Sequence, residues 1–306
     1  MSNNRIHVFT DCDLDGAGAY HILCACLQQK LNYTVTRVVD VQEKIGAWLK
    51  YNNIQDYDHI YILDLDISQY PKLAKQLDHP NVTIVDHHTS HVTAKHLYTS
   101  ARAIIVEETS ATKLVYKYFD GSSHLNSEQK LLVLMVDDYD SYQFKVKNSH
   151  ELNIVFWSYQ GDRVAKFIDD FGSGFTGFNQ QHINIISFYI KKLNNIKSNL
   201  DVHVANLSIQ GRKRRVVAVF ADSCINDIAD YIIKNHKSDI GIVVNLKSNK
   251  VSLRRCKECD VDLSIVAKNI FDEGGGHQDA AGGVICDKFM MFTKLFQPMK
   301  IRNLNG

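Results

Sequence analysis

Short β-branched runs and amphipathic stretches alternate through the first half of the chain. Residues 6–10, 35–39, 60–63 and 82–85 have the length and composition of buried strands. A helix is expected from about Gly16, with Ala19, Ile22, Leu23, Cys26 and Leu27 recurring on one face. Another, over residues 111–119, gathers Leu114, Val115 and Tyr118 and has Thr109 or Ser110 as its cap. Asn126 and Gln129 stand as N-cap and N3 partner of an apolar helix ending near Val136. Strands separated by such helices predict a parallel sheet with crossover connections.

The pattern changes in the middle. Residues 171–177 form a glycine-punctuated loop, and residues 180–199 read as one long helix with a polar face. Strands return near residues 202–207, 216–220, 240–246 and 251–254. A helix with Leu263, Val266, Ala267 and Ile270 on one face then ends at a glycine run. The expected fold class is α/β. Residues 1–178 form a parallel-sheet domain, 179–200 a helical connector and 201–306 a smaller α/β domain.

Composition narrows the class. The chain has 306 residues, 45% hydrophobic and 23% charged, which is enough for two domains with separate cores. Its longest apolar stretch, residues 131–136, is far too short to cross a bilayer. Met1-Ser2-Asn3-Asn4-Arg5 leads into a strand without a signal-peptide core, and the seven cysteines are irregularly spaced. Free thiols and a cytoplasmic location are expected. Cys256 and Cys259 make an isolated CxxC, lacking the second pair of a structural zinc site. A net charge of +1 and a pI near 7.7 argue against gripping long DNA through many phosphates. They favour a small anionic substrate or a short strand. The densest basic run, Arg212-Lys213-Arg214-Arg215, reads as a solvated hairpin after Gly211. Phe156, Trp157 and Tyr159 have rings suited to stacking on bases, but their neighbours Ile154 and Val155 favour core packing.

The chemistry is carried by acidic groups that follow apolar runs. Residues 6–10 are followed by Asp11-Cys12-Asp13-Leu14-Asp15-Gly16, and residues 60–63 by Asp64-Leu65-Asp66. Residues 82–85 are followed by Asp86-His87-His88, and 131–136 by Asp137-Asp138-Tyr139-Asp140. Ligands of open parallel sheets bind at the carboxyl ends of the strands. Carboxylates at every second position repel one another unless a cation intervenes. One such cluster is an ordinary loop charge; four in succession suit a two-metal centre, with ions roughly 3.5–4 Å apart. Later, Arg254 closes a strand ahead of Gly274-Gly275-Gly276-His277, where glycines let backbone amides converge on an anion.

These stations resemble motifs I to IV of the DHH phosphoesterase superfamily, and Asp-x-Asp-x-Asp-Gly is the spelling of its RecJ-like exonuclease branch. Phe9 stands where other branches, among them nano-RNases and family II pyrophosphatases, place a histidine ligand. The glycine run with Arg254 resembles the GGGH motif of the DHHA1 substrate-binding domain. The resemblance covers residues 5–145 and about 200–290. It implies a two-metal phosphodiesterase holding two Mn²⁺ ions, with Mg²⁺ as the alternative, and a phosphate positioned by both domains. Asp13 and Asp15 would be metal ligands, with Asp11 an added or outer one. Asp64 would bridge both ions, and His87 would be a further ligand. Asp138 is favoured in the fourth station, with Asp140 the close alternative. His88 would contact the scissile phosphate, Asp86 would orient an imidazole, and Arg254, Gly274, Gly275, Gly276 and His277 would bind substrate. The implied substrates are single-stranded nucleic acid, short oligonucleotides or nucleotide phosphoesters such as 3′-phosphoadenosine 5′-phosphate. With no room for a further strand-threading domain, short oligonucleotides are favoured. The alternative is a degenerate relative that binds nucleic acid or partner proteins without catalysis, although every station here keeps its carboxylate.

Overall fold

In the computed structural model, residues 5–107, 109–276 and 278–298 are described. The chain divides between Ile186 and Ser187 into two compact units. The N-terminal unit has five parallel strands: β1 (Ile6–Thr10), β2 (Asn32–Val35), β3 (His59–Leu63), β4 (Val82–Asp86) and β5 (Arg102–Ile105). Their spatial order is β2-β1-β3-β4-β5. Helix α1 (Leu14–Leu27) follows β1, α2 (Val41–Tyr51) follows β2, α3 (Pro71–Leu77) follows β3 and α4 (Thr89–Thr93) follows β4. Beyond β5 come α5 (Ala111–Tyr118), α6 (Gly121–His124), α7 (Ser127–Asp140), α8 (Ser149–Ser158) and α9 (Arg163–Phe171).

Both faces of this sheet are covered, which is why its strands read as continuous apolar runs. Successive residues feed opposite cores. Val8, Leu63 and Val85 join side chains of α1, α5, α7, α8 and α9, while Phe9, Ile62 and Ile84 join those of α2 and α3. Helices α1 and α5 approach closely because Gly18 has no side chain; a Cβ there would lie 2.5 Å from Thr112 Oγ1. Chain direction around the sheet reverses between β1 and β3. The residues just past these two strands therefore line a topological switch point.

Helix α10 (Gln180–Ser198) runs across the division of the chain. The C-terminal unit continues with β6 (His203–Ile209), β7 (Arg212–Phe220), α11 (Ile225–His236), β8 (Ile240–Asn245) and β9 (Lys250–Arg255). It ends with α12 (Leu263–Ile270), β10 (Gly274–Gly276), β11 (Ala280–Val284), α13 (Asp287–Thr293) and β12 (Gln297–Pro298). The sheet order is β10-β11-β9-β8-β7-β6-β12, and only the β7–β8 pair, joined through α11, is parallel. Among the described residues no helix is long and apolar enough to cross a membrane.

Four expectations change. The strand expected over 35–39 lies earlier, at Asn32–Val35, and Val38–Asp40 is a 3-10 turn. The helix expected to stop near Val136 continues to Asp140. The hairpin expected at Gly211 is present between β6 and β7, but the basic run already belongs to β7, where Arg212 and Arg214 both pair with Asp260. The glycine run is an edge strand, not a loop, with Gly275 opposite Gly282 and Gly276 opposite Ala281.

His21 of α1 sits in the interior, and its Nε2 has no hydrogen-bond partner. Burial lowers its pKa to about 4, so the folded state holds a neutral ring. The unfolded chain therefore takes up this proton first as pH falls from about 6.5 toward 4. Acidification from pH 7 to 5 is expected to cost up to about 2 kcal/mol at this residue. Urea midpoints at the two pH values measure the loss, and His21→Leu should shrink it.

Candidate metal centre

The turn from β1 into α1 is set by its own carboxylates. Asp13 caps α1, its Oδ1 accepting from Gly16 N at 2.9 Å, and Asp11 Oδ1 accepts from Cys12 N at 2.7 Å. Gly16 is required here, because a Cβ would lie 2.6 Å from the Asp11 carbonyl oxygen. Asp15, buried in the first turn, accepts the amides of Ala111 at 2.7 Å and Thr112 at 2.9 Å, groups left unpaired at the start of α5. Asp64 follows β3 with φ of 58°, a left-handed conformation that costs free energy in a residue other than glycine. His87 and His88 follow β4, and Asp140 is the last residue of α7.

These groups converge on His87. Its Nε2 lies 3.3 Å from Asp64 Oδ1, 3.4 Å from Asp140 Oδ2 and 3.6 Å from Asp15 Oδ2. Donor atoms of Asp11, Asp13 and Asp64 lie within 4.8 Å of one another, as do those of Asp64, His87 and His88. Asp64 thus belongs to two groups of donors, and so does His87. Asp64 Oδ1 is buried without a hydrogen-bond partner. Burial, reinforced by the neighbouring aspartates, pushes Asp64 and Asp140 far above the ordinary carboxylate range. Burial and Asp13 push Asp11 up to about 7. Carboxylates gathered this way ionise together only beside added positive charge, and the mixture of oxygens and imidazole fits divalent cations.

Asp86, although next to His87, serves another purpose. Fully buried, it accepts from His88 Nδ1 at 2.7 Å through Oδ1 and from His91 Nδ1 at 2.5 Å through Oδ2. Burial alone would raise its pKa, but the two imidazoles hold it far below the usual carboxylate range. For His88, burial opposes the charged form and Asp86 outweighs it, raising the pKa to about 9. His91 Nε2 meets the Tyr98 hydroxyl at 2.7 Å. Asp66 accepts the amide of Ser68 at 2.9 Å and also both the Ser68 and Ser90 hydroxyls. Asp66, Asp86 and His91 are close enough to share a cation, yet hydrogen bonds already satisfy them. The contrast with Asp64 separates the two clusters. Sequence reasoning placed Asp66 in an acidic group without giving it a role and missed His91 and Tyr98; only the placing of His91 three residues after His88, one helical turn away, pointed to the histidine.

In the fourth station the structure brings Asp140 to the cluster in place of the favoured Asp138. Two helical steps turn a side chain by roughly 200°, so these two residues face different ways. Asp138 points inward and accepts from Lys145 N at 2.8 Å and Ser149 Oγ at 2.6 Å. Asp137 accepts from Ser110 N at 3.0 Å, Thr109 Oγ1 at 2.9 Å and Lys113 Nζ at 2.6 Å. Phe9 turns away into the second core, its ring 5.2 Å from that of Trp48. Phe156 is buried and Tyr159 donates to Asp170, while Trp157 lies half-exposed with the Arg163 guanidinium 4.9 Å from its ring centre.

In the C-terminal unit, Arg254 stands opposite Ala280 and Gly276 opposite Ala281, so both flank β11. The Arg254 guanidinium donates to Asn226 Oδ1 at 2.8 Å and to the Leu253 carbonyl at 3.1 Å. A Cβ at Gly274 would lie 2.2 Å from the Ala267 carbonyl oxygen, whereas one at Gly275 would meet nothing within 4 Å. Gly274 thus serves packing on α12, and Gly275 lies against open space. His277 lies outside the described residues. Cys256, Cys259 and Asp239 also bring donor atoms together, but Asp239 accepts the Arg215 amide at 2.7 Å and has the Arg214 guanidinium 3.9 Å away as its cation.

Residues 5–137, within the N-terminal unit, match the model of the DHH family, N-terminal domain. Solved structures share the fold over most of the chain. An exonuclease RecJ bound to manganese is 13% identical, with a TM-score of 0.56 over 95% of this chain and 88% of that one. A pGpG-specific phosphodiesterase, PggH from Vibrio cholerae, is 14% identical, with a TM-score of 0.59 over 95% and 96%. RecJ from Thermus thermophilus in complex with Mn²⁺ is 14% identical, with a TM-score of 0.53 over 95% and 51%. Compared by sequence with curated proteins, the chain matches none.

Asp140→Asn is expected to weaken Mn²⁺ binding by at least about tenfold while leaving the melting temperature near wild type. Asp138→Asn should do the reverse, costing about 1–3 kcal/mol of stability through two disturbed internal hydrogen bonds. Mn²⁺ titration followed by electron paramagnetic resonance, beside thermal melts of both variants, makes the comparison.

Proposed function

We propose that the protein is a divalent-metal-dependent phosphodiesterase acting on short single-stranded oligonucleotides. The observation that carries this reading is the buried, unpartnered Asp64 oxygen 3.3 Å from His87, inside a ring of carboxylates. Asp15, Asp64, His87 and Asp140 would hold one cation, and Asp11, Asp13 and Asp64 a second; Mn²⁺ suits these donors, with Mg²⁺ the alternative. Paired divalent cations supply an acidified water for in-line attack and neutralise charge on the phosphate.

The remaining work falls to the chain's own side chains. His88, cationic through its contact with Asp86, offsets charge growing on the non-bridging phosphate oxygens. Arg254 and the backbone of Gly275 and Gly276 supply anion-binding groups in the C-terminal unit, which we read as a DHHA1-type substrate domain over residues 201–306. Fold similarity to a nuclease and to a pGpG-specific phosphodiesterase supports nucleotide phosphodiesters as the substrate class. The net charge of +1 favours short strands within it.

Manganese-dependent release of mononucleotides from an end-labelled short single strand is the expected result. Asp64→Ala and His87→Ala should abolish turnover at saturating Mn²⁺ with the circular dichroism spectrum unchanged. Absence of turnover on strands, dinucleotides and nucleotide phosphoesters alike, with Mn²⁺ or Mg²⁺, would overturn the reading.

A further inference from the structure

The segment after β4 contains a buried chain of polar groups that donates nothing to the metal centre. Helix α4 starts directly after His88, and His91 N bonds back to the His88 carbonyl at 2.9 Å. One turn on, His91 reaches Asp86 Oδ2 through Nδ1, and Tyr98, just after the 3-10 turn Lys95–Leu97, reaches His91 Nε2. His91 and Asp86 are fully buried and Tyr98 nearly so. An apolar side chain would fill this space without the cost of burying three polar groups.

The donors converge on Asp86. An ionised carboxylate only accepts, so both Nδ1 atoms facing Asp86 carry protons. With its Nδ1 proton directed at Asp86, His91 meets the Tyr98 hydroxyl through its other ring nitrogen, Nε2. Asp86 is thereby gripped on both oxygens, and its Oδ1 meets His88 Nδ1 in one orientation.

We propose that His91 and Tyr98 are positioning residues for His88, acting through Asp86 to fix the plane of its ring and the direction of its Nδ1–H. The proposal rests on the phosphodiesterase reading for its kinetic consequence, but not for its structural one. Buried partners of this kind typically change activity by about 10–100-fold.

Three variants test it. His91→Leu removes the donor to Asp86, His91→Asn keeps an N–H in a similar place, and Tyr98→Phe removes one hydroxyl. With Mn²⁺ and a labelled short single strand, kcat of His91→Leu should fall about 10–100-fold with KM little changed. His91→Asn should recover most of the loss, and Tyr98→Phe should lie between His91→Leu and wild type. Equal loss in His91→Asn and His91→Leu, or wild-type kcat in His91→Leu, overturns the proposal. A second readout needs no turnover: ¹⁵N-histidine spectra of the Mg²⁺-loaded protein. The strongly hydrogen-bonded Nδ1–H resonances of His88 and His91 should both move in Tyr98→Phe. An unmoved His88 resonance overturns the positioning role even if the enzyme is active. Moved resonances in a protein without turnover support the positioning chain and overturn only the phosphodiesterase reading.

Discussion

The structure depends on a concentration of buried carboxylates that lacks matching positive charge. Asp15, Asp64 and Asp140 approach one imidazole nitrogen, and donor atoms of Asp11 and Asp13 lie within 4.8 Å of Asp64. Burial and the neighbouring aspartates push Asp11, Asp64 and Asp140 well above the usual carboxylate range, so they ionise together only beside added positive charge. The surrounding fold is arranged to keep them there. Gly18 lets α1 sit tight on α5, whose first amides then hold Asp15. The left-handed backbone at Asp64 is strain that only a rigid sheet can maintain.

The same residue type does two different jobs within a few ångströms. Asp66, Asp86, Asp137 and Asp138 are surrounded by amides, hydroxyls, imidazoles or an ammonium, and act as internal struts. Asp64 keeps an oxygen without any such partner. Hydrogen-bond satisfaction therefore sorts the aspartates better than proximity does. By distance alone Asp66, Asp86 and His91 form as good a ligand group as the central one.

Much of this was legible in the sequence, and the limits follow from what a linear pattern encodes. Strands buried on both faces read as continuous apolar runs, so three of the five strands of the N-terminal sheet and the acidic residues after β1, β3 and β4 stand out. The choice between Asp138 and Asp140 depends on the phase of a helix past its apolar stretch, where hydrophobicity carries no signal. Strand β10 hides because three glycines look like a turn whichever way they pair. His91 and Tyr98 are invisible for a different reason. Their roles come from hydrogen bonds made in three dimensions to Asp86, and no spacing rule requires a tyrosine seven residues beyond a histidine.

Phe9 shows how one strand position shapes the donor set. Residues of β1 alternate between the two cores, and position 9 faces the side lined by α2 and α3, where Trp48 and Ile45 lie. Phe9 fills that side with an apolar ring and offers no donor. The chain instead gathers its first donors beyond the strand, as Asp11, Asp13 and Asp15, where the turn into α1 presents carboxylates and not imidazole. The resulting centre is richer in oxygen than one that draws a histidine from the strand. Under the proposed function, a donor set of that hardness favours Mn²⁺ or Mg²⁺ over the softer zinc ion. Under that reading, the apolar packing of a single aromatic ring bears on the set of donors offered to the metal.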